Sequence, residues 1–105
     1  MTDEPLQELE VPEGVLDAEH AVEVLRAWIA DGALHVIFEP GTFGHDVSEW
    51  GRLLSEVSQH IASGIAQEGH LSANEALTAI HEAYERGVLS PAGTRTGQIK
   101  RKVQH

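Results

Sequence analysis

Between residues 17 and 90 the apolar positions repeat with a helical period of about 3.6 in three stretches and with a period of two in a fourth. In "DAEHAVEVLRAWIADG", residues 17–32, Ala18, Ala21, Val22, Leu25, Trp28 and Ile29 fall within one arc. Asp17 is placed as N-cap and Gly32 as stop, which predicts an amphipathic helix with His20, Glu19 and Glu23 facing water. Residues 34–39 then alternate: Leu34, Val36 and Phe38 point one way, His35, Ile37 and Glu39 the other, as in a strand with one core face. Pro40 and Gly41 follow at the positions a type II turn favours.

The longest helix is predicted over residues 47–67, with Asp46 and Glu49 as a capping box and Gly69 as terminator. Its apolar face, Val47, Trp50, Leu53, Leu54, Val57, Ile61, Gly64 and Ile65, is flanked by a strip of small residues, Gly51, Ser55, Ser58 and Ala62. Together they cover roughly 200°, wider than the stripe of a helix buried on one side. Such a helix calls for burial on two sides, with close backbone approach offsetting its internal glycines. A third helix opens on the capping box Ser72 and Glu75, turns Ala73, Ala76, Leu77, Ile80 and Tyr84 inward, and closes at Gly87.

The predicted class is therefore α+β and mostly helical, in the order weak strand, helix, strand, helix, helix. Residues 1–16 are acidic and extended, with "QELEV" as a weak strand. Residues 17–89 form the compact α+β domain, and residues 90–105 lack both period and apolar mass and are expected to be a mobile basic tail. The strand at 34–39 needs a partner for its backbone groups. "QELEV" could pair with it inside the chain, or the same strand of a second copy could pair antiparallel about a two-fold axis. A homodimer is expected, because a small core, a very wide helix and a lone strand each ask for outside contacts. The interface is then placed at His35, Ile37 and Glu39 on the strand and at Gly51, Ser55, Ser58 and Ala62 on the long helix. His35 would make such an assembly sensitive to pH.

Composition narrows the functional classes. Twelve of the apolar residues are alanines, which thins the core. Without cysteine there is no disulfide, thiolate nucleophile or sulfur-based zinc site. The acidic start holds no apolar run of the kind a secretory signal or membrane anchor needs, so a soluble cytoplasmic protein with no membrane partner is expected. All 17 acidic residues precede residue 90, where they face three arginines, a balance of −14 that opposes bare nucleic acid and anionic lipid. Arg95, Lys100, Arg101 and Lys102 reverse the sign in the tail, the one place where weak nucleic-acid contact is expected as an alternative.

The middle of the chain resembles a small family of uncharacterised bacterial proteins, a domain of unknown function best represented in alphaproteobacteria. The features that carry the likeness are "WIADG" at residues 28–32, the apolar strand at 34–38 and "EWG" at 49–51, and it extends over residues 17–88. The resemblance implies a compact α+β domain and brings no activity, cofactor or catalytic residue with it.

Seven histidines raise the question of metal, yet no two are spaced three or four apart on a predicted helix. The weak candidates are His81 with Glu85, and Glu56 with His60, each of which also reads as a surface pair. No Gly-x-Ser-x-Gly elbow is present, "GTFGH" lacks the Gly-Lys-Ser/Thr ending of a phosphate loop, and capping accounts for Asp46 beside His45. No catalytic residue, metal ligand set or cofactor is assigned. The resulting expectation is a non-catalytic homodimeric interaction or ligand-binding module. The alternative is a metal protein or enzyme whose site forms between protomers, where the strand's outer face meets the loop at 40–45.

Overall fold

The chain reverses most sharply at Asp31 and Gly32, whose φ angles of 51° and 81° both lie in the left-handed region. Two such residues make the tight hairpin turn whose twist matches that of the strands it joins. In the computed structural model, which describes residues 6–90 and 98–99, β1 (Leu25–Ala30) enters this turn and β2 (Ala33–Phe38) leaves it. The two pair antiparallel, from Leu25 opposite Phe38 to Ala30 opposite Ala33. On the other side of β2, β3 (Gln98–Ile99) runs parallel, setting Gln98 against Ile37 and Ile99 against Phe38. β2 is thus the central strand of the sheet.

The helix expected over residues 17–32 does not form. Its apolar positions fit a helical arc, but Leu25, Ala27 and Ile29 also alternate along one face of a strand, and the second reading wins because β2 lies next to it. Ahead of β1 the chain makes a single helical turn, α1 (Glu13–Leu16), and then runs irregularly to Val24. "QELEV" carries no strand. Inside the chain β2 pairs along one edge with β1 over its whole length, and along the other with β3 at Ile37 and Phe38. Of the tail expected at 90–105, Ser90, Gln98 and Ile99 are described residues; Arg95, Lys100, Arg101 and Lys102 lie outside them.

The other half is a helical hairpin. α2 (Ser48–Gln67) and α3 (Ala73–Leu89) are joined through Gly69 at φ 89°. The capping box expected for α3 is complete: the Glu75 amide donates to Ser72 Oγ at 3.1 Å and the Ser72 amide to Glu75 Oε1 at 2.9 Å. These bonds satisfy two amides at the helix start. They also hold the Glu75 carboxyl below its ordinary pKa, the Ser72 amide contributing most. The box expected at Asp46 and Glu49 is replaced by another arrangement, in which Asp46 accepts from the Ser48 amide and hydroxyl while Glu49 reaches Arg52. Gly87 lies inside α3, which continues to Leu89.

Ala62 of α2 and Ala76 of α3 are each 2% exposed, and among the described residues these two alanines are the buried apolar side chains. The close backbone approach expected to offset the internal glycines of α2 is absent at Gly51 and Gly64, where an added Cβ would meet nothing within 4 Å.

The two hairpins meet through aromatic rings. Trp50, in the first turn of α2, stands edge-on to Phe38 at the end of β2 (6.2 Å, 84°) and to Phe43 in the connecting loop (5.2 Å, 82°). Each such pair contributes about 0.5–1.5 kcal/mol beyond area burial. Beyond this junction, among the described residues, no Cα of a strand comes within 8 Å of a Cα of α2 or α3. The architecture is α+β and mostly helical, as expected.

Candidate functional site

The register of the β-hairpin sorts its side chains sharply. Residues directly opposite one another in an antiparallel pair share a face, so Leu25, Ala27, Ile29, Leu34, Val36 and Phe38 line one side and Arg26, Trp28, Ala30, Ala33, His35 and Ile37 the other. The first face is wholly apolar. At the Phe38 end Trp50 covers it, while at the turn end Ile29 is 72% exposed. On the mixed face Trp28 and Ile37 are half-buried and Arg26 and His35 exposed; Arg26 binds Glu23 at 3.0 Å and Glu8 at 3.3 Å. Its guanidinium is held above the ordinary arginine range, chiefly by the hydrogen bond to Glu23 and then by that carboxylate's charge. Exposed pairs of this kind add little to stability.

A second apolar surface begins at the same tryptophan. Trp50, Leu54, Val57 and Ile61 follow one another at helical spacing along α2. Trp50 is half-buried, but Leu54, Val57 and Ile61 are exposed, the last to 49%, and Tyr84 and Val88 near the end of α3 are exposed as well. Two apolar surfaces thus lead away from one aromatic vertex, each uncovered at its far end.

The residues singled out from sequence fall in different places. His35 is exposed on the mixed sheet face beside Ile37, opposite Trp28. Glu39 organises the loop after β2: its carboxylate accepts from the Gly41 amide at 3.1 Å, and its carbonyl from the Thr42 hydroxyl at 2.7 Å. Gly41 does not take positive φ, so the turn is not the type II turn expected. In the small-residue strip, Ala62 is buried, Ser58 is half-buried, and Gly51 and Ser55 are exposed. The hydroxyls of Ser55 and Ser58 bond back to the carbonyls of Arg52 and Leu54. His81 Nε2 lies 3.7 Å from Glu85 Oε2, both exposed, as a surface pair one turn apart on α3. Among the described residues no three histidine, aspartate or glutamate side chains gather in a way that could hold a metal, and no polar side chain is buried. Sequence reading found the Leu34, Val36 and Phe38 half of the apolar sheet face and missed the Leu25, Ala27 and Ile29 half. The signal for it was Asp31-Gly32 between two apolar runs of six residues, the commonest short mark of a hairpin.

Comparison with known proteins is consistent with this architecture. Residues 8–92 match a domain of unknown function, DUF5076, and the chain belongs to that family. It is similar to a solved structure described as that of "a putative pyruvate dehydrogenase from the photosynthetic bacterium Rhodopseudomonas palustrus CGA009", at 31% sequence identity and a TM-score of 0.66, over 95% of this chain and 97% of that one. No curated protein matches the chain.

Proposed function

We propose that this member of the DUF5076 family works as a homodimeric interaction or ligand-binding module in the cytoplasm and does not itself catalyse a reaction. The observation that supports this reading is the uncovered apolar surface: a protomer whose buried apolar residues, among those described, are two alanines cannot offset the chain entropy of folding by its own core. Association supplies the missing burial. Among the described residues no helix is long and apolar enough to cross a membrane, which leaves protein surface as the natural cover for these faces.

A second reading takes its motive from the dehydrogenase description of the similar structure. Oxidative decarboxylation of a 2-keto acid needs a carbanion-stabilising cofactor held by polar groups. The described residues of one protomer offer no buried polar side chain to grip it, so a site of that kind would have to assemble between protomers, next to the loop at 40–45. Weak nucleic-acid contact through Arg95, Lys100, Arg101 and Lys102 rests on sequence charge alone.

The test is the solution mass of the full, untagged chain by light scattering after size exclusion. Twice 11.4 kDa across the micromolar range is the expected result. A single chain mass throughout that range would overturn the dimer reading.

A further inference from the structure

Resting on the dimer reading, we infer that two copies join along the outer edge of β1, antiparallel and with Ala27 on the two-fold axis, so that two three-stranded sheets become one. The direction of the β1 backbone groups carries this. In an antiparallel pair, residues that exchange hydrogen bonds alternate with residues whose N–H and C=O groups point away from the partner strand. Asp31 and Gly32 form a two-residue turn, so Ala30 and Ala33 are a bonded pair, and the alternation continues through Trp28 with His35 and Arg26 with Ile37. The Glu39 amide donates to the Val24 carbonyl at 3.2 Å, which extends the same series and fixes its phase. The amides and carbonyls of Leu25, Ala27 and Ile29 therefore point to the outer edge, where no described residue bonds to them.

The edge is accessible and regular. Ala27 is exposed and Ile29 is 72% exposed. Edge strands are commonly blunted by proline, bulges or charge, but β1 has no proline, keeps an unbroken register from Leu25 to Ala30, and carries Arg26 as its one charge. On the other side of the sheet β3 pairs with β2 at Ile37 and Phe38, which leaves β1 as the edge without a neighbouring strand among the described residues.

A second copy of β1 fits this edge in one register. Centred on Ala27, the ladder sets Leu25, Ala27 and Ile29 against the partner's Ile29, the partner's Ala27 and the partner's Leu25, and every outward amide and carbonyl of both strands is bonded. Centring on Arg26 leaves Ile29 unpaired within β1 and sets two arginines against each other; centring on Trp28 leaves Leu25 unpaired. Charge favours the same choice. In the Ala27 register Arg26 stands opposite the partner's Trp28, a cation beside an aromatic ring, and two chains of net charge −10 meet along a strand that has no carboxylate. Like charges come nearest at the ends, between Glu23 and the partner's Asp31, and Glu23 is already paired with Arg26 at 3.0 Å. The ladder also joins the two apolar sheet faces, because Leu25, Ala27 and Ile29 belong to that face and Trp50 of each copy covers the same side at Phe38. Helices on one side of an antiparallel sheet are a stable α+β layering.

Amide hydrogen exchange of the full, untagged chain tests the ladder, read residue by residue by NMR above and below the dissociation constant of the dimer. The Leu25, Ala27 and Ile29 amides should exchange at least about tenfold more slowly in the dimer, while those of Trp28 and His35, bonded inside the hairpin, are protected at both concentrations. Because the Ala27 amide takes no part in the hairpin, Ala27→Pro removes a donor from the seam alone and should raise the dissociation constant at least about tenfold. Far-UV circular dichroism reports whether this variant folds. If it does not, Ala27→Cys gives a second measurement, since the chain has no other cysteine and bonded pairs lie about 5.5 Å apart between Cα atoms, within reach of a disulfide. Oxidation should link Ala27→Cys chains into dimers, and Ile29→Cys chains far more slowly, their sulfurs being about 14 Å apart along the ladder. A dimer whose Leu25, Ala27 and Ile29 amides exchange as fast as in the dilute chain, a folded Ala27→Pro chain that dimerises as tightly as the wild type, or faster linkage through Ile29→Cys would overturn the ladder and leave the dimer reading standing. Protection of those amides at every concentration would overturn it as well, by assigning the edge to a segment of the same chain. A wild-type chain that scatters as a monomer throughout would instead defeat the dimer reading itself.

Discussion

The β-hairpin and the helical hairpin of this protein differ in what holds each together. In α2 and α3 the decisive signals are local: periodic apolar positions and a capping box closed by Ser72 and Glu75. In β1 and β2 the decisive interaction is a partner strand, and the local cue is confined to Asp31 and Gly32. A helix satisfies its backbone within its own segment, whereas a strand satisfies it only against another. One half could therefore be read residue by residue, while the other depended on recognising a single turn.

The largest effect is expected at the junction that both halves share. Trp50→Ala removes two edge-to-face ring contacts and much of the cover over Phe38, at a cost of about 3 kcal/mol. Chemical denaturation should show both hairpins losing stability together; a loss confined to the helical half would break the idea that one vertex anchors both. Gly32→Val addresses the β-hairpin alone. A β-branched residue at φ 81° costs about 2 kcal/mol, and amide exchange should accelerate in β1 and β2 before α3. Ser72→Ala is the counterpart in the helical hairpin and should cost about 1 kcal/mol, with exchange accelerating first at the start of α3.

The smallest effect is one of pH. Folding lowers the Glu75 pKa, so its contribution is fully present above the ordinary value of 4.5 and fades as pH falls through the lower folded value. Helix content measured by circular dichroism should therefore show a small acid-limb loss below pH 4.5 that Glu75→Gln removes. An identical acid limb in the variant would assign the loss to other carboxylates.

The fold was legible wherever signals agreed. The α+β class, the long helix, the third helix with its box and the strand at 34–38 all follow from period and capping residues that the structure retains. Residues 17–32 were legible in two ways. Ala18, Ala21, Val22, Leu25, Trp28 and Ile29 make a helical arc, Leu25, Ala27 and Ile29 make a strand face, and Gly32 serves a helix end as readily as a hairpin turn. Tertiary pairing decided between them. The β1 half of the apolar sheet face was hidden for the same reason, since Leu25 and Ile29 join it only by standing opposite Phe38 and Leu34. Asp46 shows a smaller version of this ambiguity: the residue acts at the start of α2, but through Ser48 and not through Glu49.

The proposed homodimer makes association a requirement for covering the apolar side chains that one chain leaves exposed. A thermal unfolding series over a hundredfold range of protein concentration puts that requirement to the test. Mass action should raise the midpoint by about 3 °C for each tenfold increase in concentration, with strand and helix signals moving in one transition. A midpoint independent of concentration, in a chain that unfolds cooperatively, would mean that a single copy covers its own apolar faces, and would contradict completion by a second copy.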